Sequence, residues 1–194
     1  MASSNKTGTV TPRAASAIAQ SLNVRLLTLD EFATMLYIHA GAFKAMASAY
    51  YPDEEVAAFA SYVYSNAYAD LVRGENMLAG YIGEEMVATA GWAPADDNGV
   101  SARIRSVYVR PLFTGTGIGR RLALEAEAWA RRSGFKSFGA RVPLNAVGFF
   151  EALGYEVTSH GVHMLPDDRG LPVSFMRKTD QAADHPVRTE ESAG

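Results

Sequence analysis

The stretch that most constrains how this chain can fold is Val107-Tyr108-Val109-Arg110-Pro111-Leu112-Phe113-Thr114-Gly115-Thr116-Gly117-Ile118-Gly119-Arg120-Arg121-Leu122. It reads as a strand, then a loop with glycine at every second position from Gly115 to Gly119, then the start of a helix. The first turn of a helix leaves backbone N–H groups unpaired, and its dipole places about half a positive charge there. Glycines let that backbone curl around an anion with no Cβ in the way. A strand that feeds such a loop is a cradle for a phosphate.

Spacing narrows the phosphate ligand. A dinucleotide fingerprint G-x-G-x-x-G from Gly115 meets Arg120 where glycine is needed, and from Gly117 it meets Leu122. A P-loop from Gly115 also fails at Arg120, and no Lys-Ser/Thr pair follows. Arg120 and Arg121 occupy a first helical turn, where cations are disfavoured unless an anion sits nearby. The other reading of the loop is a tight turn with both arginines splayed into water.

Hydrophobic residues make up 48% and charged residues 20% of the 194 positions, the balance of a chain that folds around one core. With 18 Lys and Arg against 21 Asp and Glu, the chain lacks the basic excess of a nucleic-acid binder, and none is expected as a partner. No apolar run approaches the ~18–20 residues of a bilayer span, so no membrane is expected either. The absence of cysteine removes disulfide scaffolds, thiolate zinc sites and a cysteine nucleophile together. It fits a cytoplasmic setting, and no metal ligand set is assigned. Residues 1–22 are small and polar and read as a flexible leader, with a transit peptide as the alternative. Residues 179–194 read as a flexible tail, which leaves 23–178 as the folded domain.

Within that domain, Val24–Leu27 is a strand candidate, with Asp30 as the N-cap of a helix from Glu31 to about Ala49. A second helical stretch starts at Pro52 and runs toward Leu71, broken near Ser65-Asn66. Met77–Ile82 and Met86–Trp92 form a hairpin about Gly83-Glu84, and Arg103–Val109 is a third strand. A long helix follows the glycine loop, then the strand Phe135–Val142, a short helix Asn145–Leu153, and a closing hairpin of Tyr155–Leu165 with Leu171–Arg177. Antiparallel strands combined with one β–α–β unit make the class α+β.

The segment Arg105–Tyr155 resembles the GCN5-related N-acetyltransferase (GNAT) superfamily. VRPLFTGTGIGRRL matches the family's longer pattern V-x-P-x-x-x-G-x-G-I-G-x-x-L, and Asn145–Tyr155 is similar to its N-x-x-x-x-F-Y-E-x-x-G-[FY] block, with one residue fewer between Asn145 and Phe149. The resemblance implies a GNAT fold, a mixed and mostly antiparallel sheet with a central β–α–β cofactor unit. It also implies acetyl transfer from acetyl-CoA to an amine, on either a small molecule or a protein. The backbones of Val107, Tyr108 and Val109 would pair with pantetheine. The N–H groups of Gly115, Thr116, Gly117, Ile118, Gly119 and Arg120 would hold the pyrophosphate. Asn145 would meet the far arm of the cofactor, and Phe150 would pack near the sulfur. Three positions depart from the pattern: Thr114 replaces its Arg or Gln, Phe150 its Tyr, and Arg103 a frequent carboxylate.

Amide formation needs a neutral amine, a donor for the developing oxyanion and a route for protons. Tyr108 and His163 are the catalytic candidates. His160, Glu84 and Glu85 are further possible bases, and Tyr155 is a second donor in place of the missing tyrosine. Residues 32–68 hold nine of the chain's twenty aromatics, which read as core and a homodimer face. If they border the acceptor, with Tyr50 and Tyr51 among them, they suit a partly apolar acceptor or one with a cation to stack. The competing functions are a CoA-binding sensor without turnover and transfer from a different acyl-CoA.

Overall fold

The structure of the protein, a computed structural model, describes residues 17–95 and 99–179. Its strands are β1 (Asn23–Leu26), β2 (Asn76–Ile82), β3 (Glu85–Pro94), β4 (Ser101–Val109), β5 (Ser137–Pro143), β6 (Glu156–Met164) and β7 (Gly170–Thr179). They form one sheet in the order β1-β2-β3-β4-β5-β7-β6. Only β4 and β5 are parallel neighbours; every other pair is antiparallel. β3 is buried over seven consecutive residues, Met86 to Trp92. That pattern belongs to a central strand covered on both faces.

The cover on one face is α4 (Ile118–Arg132). Its buried side, Ile118, Leu122, Ala123, Ala126 and Ala130, follows the helical period, and its alanines allow close approach to β3 and β4. The other face carries α1 (Phe32–Ala47), α2 (Asp53–Val63) and α3 (Asn66–Arg73) around a second core of Met35, Phe43, Phe59, Tyr68 and Leu171. A short α5 (Val147–Glu151) follows β5. The break expected near Ser65-Asn66 is real: the Ser65 hydroxyl accepts the Tyr68 N–H at 3.2 Å and caps α3.

Two expectations change at the N-terminal end. Thr28, not Asp30, caps the first helical turn, with the Glu31 carboxylate accepting its N–H at 3.0 Å. The described fold also reaches back into the segment read as a leader. Residues 17–20 make a helical turn, Leu22 is buried in the α4-side core, and the Arg121 guanidinium donates to the Ala19 and Gln20 carbonyls. The rest of the leader and nearly all of the tail lie outside the described residues.

One irregularity in β4 sets the site. Tyr108 pairs with Thr89 and Arg105 with Gly91, so β4 carries one residue more than β3 across this interval. Ser106 takes the strain, in the left-handed region at φ 54°. A Cβ on Gly91 would come within 2.5 Å of Met77 Sδ and 2.9 Å of Glu75 Oε2, so any larger residue opposite the bulge displaces those two side chains. The extra residue flips the side-chain parity. Ala102 and Ile104 face the α4 core before the bulge, and Val107 and Val109 face it afterwards. Arg103, Arg105 and Tyr108 therefore share the opposite face, under α1–α3.

Candidate active site

β4 and β5 pair only from Ser101–Arg103 to Ser137–Gly139. Beyond that point they diverge, and the β5-facing edge of β4 has no strand partner among the described residues. The opening is a cleft of about 230 Å³. Ile104, Val107, Tyr108 and Val109 line one wall; Val142, Asn145, Phe149 and Phe150 line the other. The glycine loop closes its end. Gly115 and Gly117 take positive φ of 78° and 84°, with Gly117 as the N-cap of α4. Thr116 and Ile118 are buried, and the Thr116 hydroxyl donates to the Phe113 carbonyl at 2.6 Å. The loop's side chains are thus committed inward, and what it offers a ligand is backbone. The N–H groups of Ile118, Gly119 and Arg120 have no carbonyl one turn back within the helix. A Cβ on Gly119 would sit 3.2 Å from Val109, on the cleft wall.

The arginines of the first turn need no anion to explain them. Arg121 clasps residues 19 and 20, Arg120 donates to the Ala152 carbonyl at 3.3 Å, and Arg110 is paired with Glu85. A different atom points to a ligand: Asn145 Oδ1 is buried in the cleft with no partner among the described residues. Thr114 lines the cleft where the family pattern has Arg or Gln. Phe150 is buried edge-on between Phe149 and Tyr155, at 5.3 and 5.2 Å between centroids, and has no proton to give.

A second cavity, of about 100 Å³, adjoins the cleft. Phe43, Arg105, Ser106, Tyr108, Arg141 and Pro143 line both. Phe59, Tyr62, Tyr68, Arg103 and His163 belong to the second cavity only. Tyr108 thus stands at the junction of the two spaces. Its ring stacks on the fully buried His39, 4.3 Å between centroids. His39 Nδ1 is 2.8 Å from the Tyr68 hydroxyl, and its Nε2 is 2.8 Å from Thr89 Oγ1.

Proton counting orients this chain. Thr89 spends its only hydroxyl hydrogen on the Ser106 carbonyl at 2.9 Å, so it accepts from His39 Nε2–H. His39 Nδ1 then accepts from the Tyr68 hydroxyl. Burial holds His39 at about 3, so the ring is neutral. Burial also raises the Tyr108 and Tyr68 phenols above their ordinary value, which keeps both protonated at neutral pH. His39 fits the sequence equally well as one more residue on an apolar helix stripe, and its partners come from α3 and β3. Nothing local could have marked it.

Of the two catalytic candidates, Tyr108 and His163 both line the second cavity. His163 packs edge-on against Tyr62 at 5.9 Å, and burial followed by the Arg141 and Arg105 charges lowers it to about 4. It is neutral but weakly basic. His160 lies elsewhere, bonded to Ser174 at 3.0 Å. Glu84 and Glu85 sit in and beside the exposed β2–β3 turn, and neither lines the cleft or the cavity. The Tyr155 hydroxyl is committed to buried Glu127 at 3.0 Å, in a cluster with Lys178 and Arg131 under α4. Tyr50 is exposed. The Tyr51 hydroxyl donates to the Pro172 carbonyl at 2.6 Å and accepts the Leu144 N–H at 2.7 Å. Of the aromatics in 32–68, Phe43, Phe59, Tyr62 and Tyr68 line the second cavity, and Tyr51 is a structural clasp.

A central β–α–β unit split into a cleft, with an N-terminal helix layer enclosing a second cavity, defines the acyltransferase fold expected from the glycine loop. The sequence matches the model of the Acetyltransferase (GNAT) family over residues 35–155, and the chain belongs to that family of transferases. No curated protein sequence matches it. Among solved structures, it is similar to a GCN5-related N-acetyltransferase from Rhodopseudomonas palustris, with 20% identity and a TM-score of 0.72 over 81% of this chain and 94% of that one. PaiA N-acetyltransferase from Thermoplasma acidophilum, solved with coenzyme A, is 19% identical with a TM-score of 0.62 over 81% of this chain and 98% of its own. YncA from Salmonella typhimurium, solved with its cofactor acetyl-CoA, is 20% identical with a TM-score of 0.57 over 87% and 99%. At these identities the likeness is one of fold. No helix among the described residues is long and apolar enough to cross a membrane.

Proposed function

We propose that this protein is an N-acetyltransferase that takes acetyl-CoA in the β4–β5 cleft and passes the acetyl group directly to an amine in the adjoining cavity. The observation that carries this reading is the junction itself: two spaces of different character meet at Tyr108, one bounded by open backbone and an unpartnered Asn145 Oδ1, the other by aromatic side chains. The N–H groups of 115–120 would hold the pyrophosphate, Asn145 the far arm, and the free edge at 107–109 the pantetheine. Bound acetyl-CoA supplies an activated thioester. Tyr108 gives its phenolic proton to the departing sulfur and takes back the proton that the acceptor nitrogen sheds on becoming an amide. The Tyr68 hydroxyl, turning from His39 toward Tyr108, stabilises the phenolate in between. His163, held neutral, stands at the acceptor side, and no cysteine exists to carry an acetyl intermediate.

The test is thermal stability with and without acetyl-CoA, followed by CoA release across a panel of amines. A ligand at 100 times its Kd adds about 2.7 kcal/mol. A shift together with turnover supports the reading, and no shift at millimolar acetyl-CoA overturns it. A shift without turnover on any amine makes the protein a CoA sensor, and a larger shift with another acyl-CoA changes the donor. The same reading includes a cytoplasmic site of action and a homodimer, for which exposed Tyr37, Tyr50 and Tyr64 offer a face.

A further inference from the structure

The second cavity is more basic than an amine site needs to be. Arg103, Arg105 and Arg141 all line it, and no carboxylate among the described residues does. The one acid close by is Glu75, whose side chain is almost fully buried beneath the cavity. It is already held: Arg105 Nε lies 3.0 Å from its Oε1, and the Ser106 hydroxyl donates to its Oε2 at 3.0 Å. Among the described residues, the Arg103 and Arg141 side chains form no hydrogen bond or ion pair. Both reach the cavity from its rim, where they are still exposed.

The electrostatic strain of this arrangement is visible on its neighbours. Burial, then the Arg105 and Arg103 charges, push the Arg141 guanidinium below its ordinary value, and Arg141 and Arg105 contribute to the lowering of His163. Three guanidinium groups beside one engaged carboxylate leave an uncompensated positive charge in a small, aromatic-walled space. A cationic acceptor, one of the two classes the aromatic helices suggested, would be repelled there.

Resting on the transferase reading above, we infer that the acceptor is a small amine that also carries an anion, a carboxylate or a phosphate, next to an apolar or aromatic body. The anion docks on Arg103 and Arg141, the body packs among Phe43, Phe59 and Tyr62, and the amine points to Tyr108 at the junction. Arginine suits either anion because its planar fork can give two parallel hydrogen bonds to carboxylate or phosphate oxygens. The positive charge that remains also helps the chemistry, since it disfavours the ammonium form and releases the neutral nucleophile.

The test compares matched amines on the full chain with acetyl-CoA: L-phenylalanine, its carboxamide, 2-phenylethylamine, and the aminophosphonate analogue. The expected result is a kcat/KM for the carboxylate or phosphonate at least about tenfold above the uncharged isosteres, the smaller end of what a charge-assisted hydrogen bond supplies. The better of the two acids identifies the anion. Arg103→Ala removes that preference and lowers kcat/KM for the anionic amine alone, while the acetyl-CoA thermal shift stays and reports a folded protein. A second readout needs no turnover: the His163 imidazole NMR signal moves on adding the anionic amine alone and stays still with the carboxamide. CoA release indifferent to the acceptor's charge, or an unchanged preference in Arg103→Ala, overturns the anion site and leaves the transferase standing. An anion-dependent His163 response without CoA release from any amine overturns the transferase and leaves the anion site standing.

Discussion

The cleft and the cavity meet at one tyrosine, yet they are built from different material. Apart from Ala42, Phe43 and Met46 of α1, the cleft is drawn from Ile104–Phe150, where a glycine loop, a helix start and a free strand edge offer backbone. The cavity is made of side chains drawn from α1, α2, α3, β4, β5, β6 and β7, with lining residues from Phe43 to Val173. Backbone chemistry is the same in every chain, so a loop of this geometry serves one ligand and tolerates little change. Side-chain chemistry is retuned one residue at a time. A common donor and a variable acceptor are what this division of material allows.

Substitutions can break the comparison on either side. The largest effect is expected from Gly117→Glu, which sets a carboxylate in the cradle and an L-residue at φ 84°. The acetyl-CoA thermal shift should vanish and activity with it, and an undiminished shift would mean that the loop is not the phosphate site. Next comes Tyr108→Phe, at the junction. Saturating kcat should fall by about 100-fold, the lower end for loss of a general acid, while the acetyl-CoA shift persists. A kcat within twofold of the parent would remove Tyr108 from the proton path.

On the cavity side alone, Tyr62→Ala should raise KM for the acceptor about tenfold with kcat and the acetyl-CoA shift unchanged, which steady-state kinetics will separate. The smallest effect concerns the buried end of the relay. His39 has a folded value near 3, below its ordinary 6.5, so the folded protein binds fewer protons between them. Its contribution to stability is complete above pH 6.5 and is lost as the pH falls toward 3. Denaturation midpoints across that window should show a shallower decline in His39→Gln, with the slope due to His163, near 4, remaining.

What was legible follows the same division. The glycine spacing at 115–119 and the Asn145–Tyr155 block announced the cleft, because tight turns and helix starts demand particular residues at particular positions. Even there, the reading of Arg120 and Arg121 as phosphate partners missed their structural use, since the carbonyls that Arg121 binds lie about a hundred residues earlier. The cavity was legible only as an excess of aromatics over 32–68, of which Phe43, Phe59, Tyr62 and Tyr68 line it while Tyr50 and Tyr51 do not. One signal went unread. Gly91 inside the apolar run Met86–Trp92 is the mark of a bulge or a close backbone approach, and it faces the bulge at Ser106.

By itself the sequence determined the α+β class, the order of elements and the cradle, since each follows from local periodicity and from glycines the backbone requires. It could not determine which side chains face one another. That was decided in three dimensions, by one extra residue in β4 that brought Arg103, Arg105 and Tyr108 onto a single face. The fold then set His39 against Tyr108 and Tyr68, and His163 beside Arg105 and Arg141. Their charge and proton inventory depends on burial and on neighbours far away in the chain, quantities that exist only once the layers have packed.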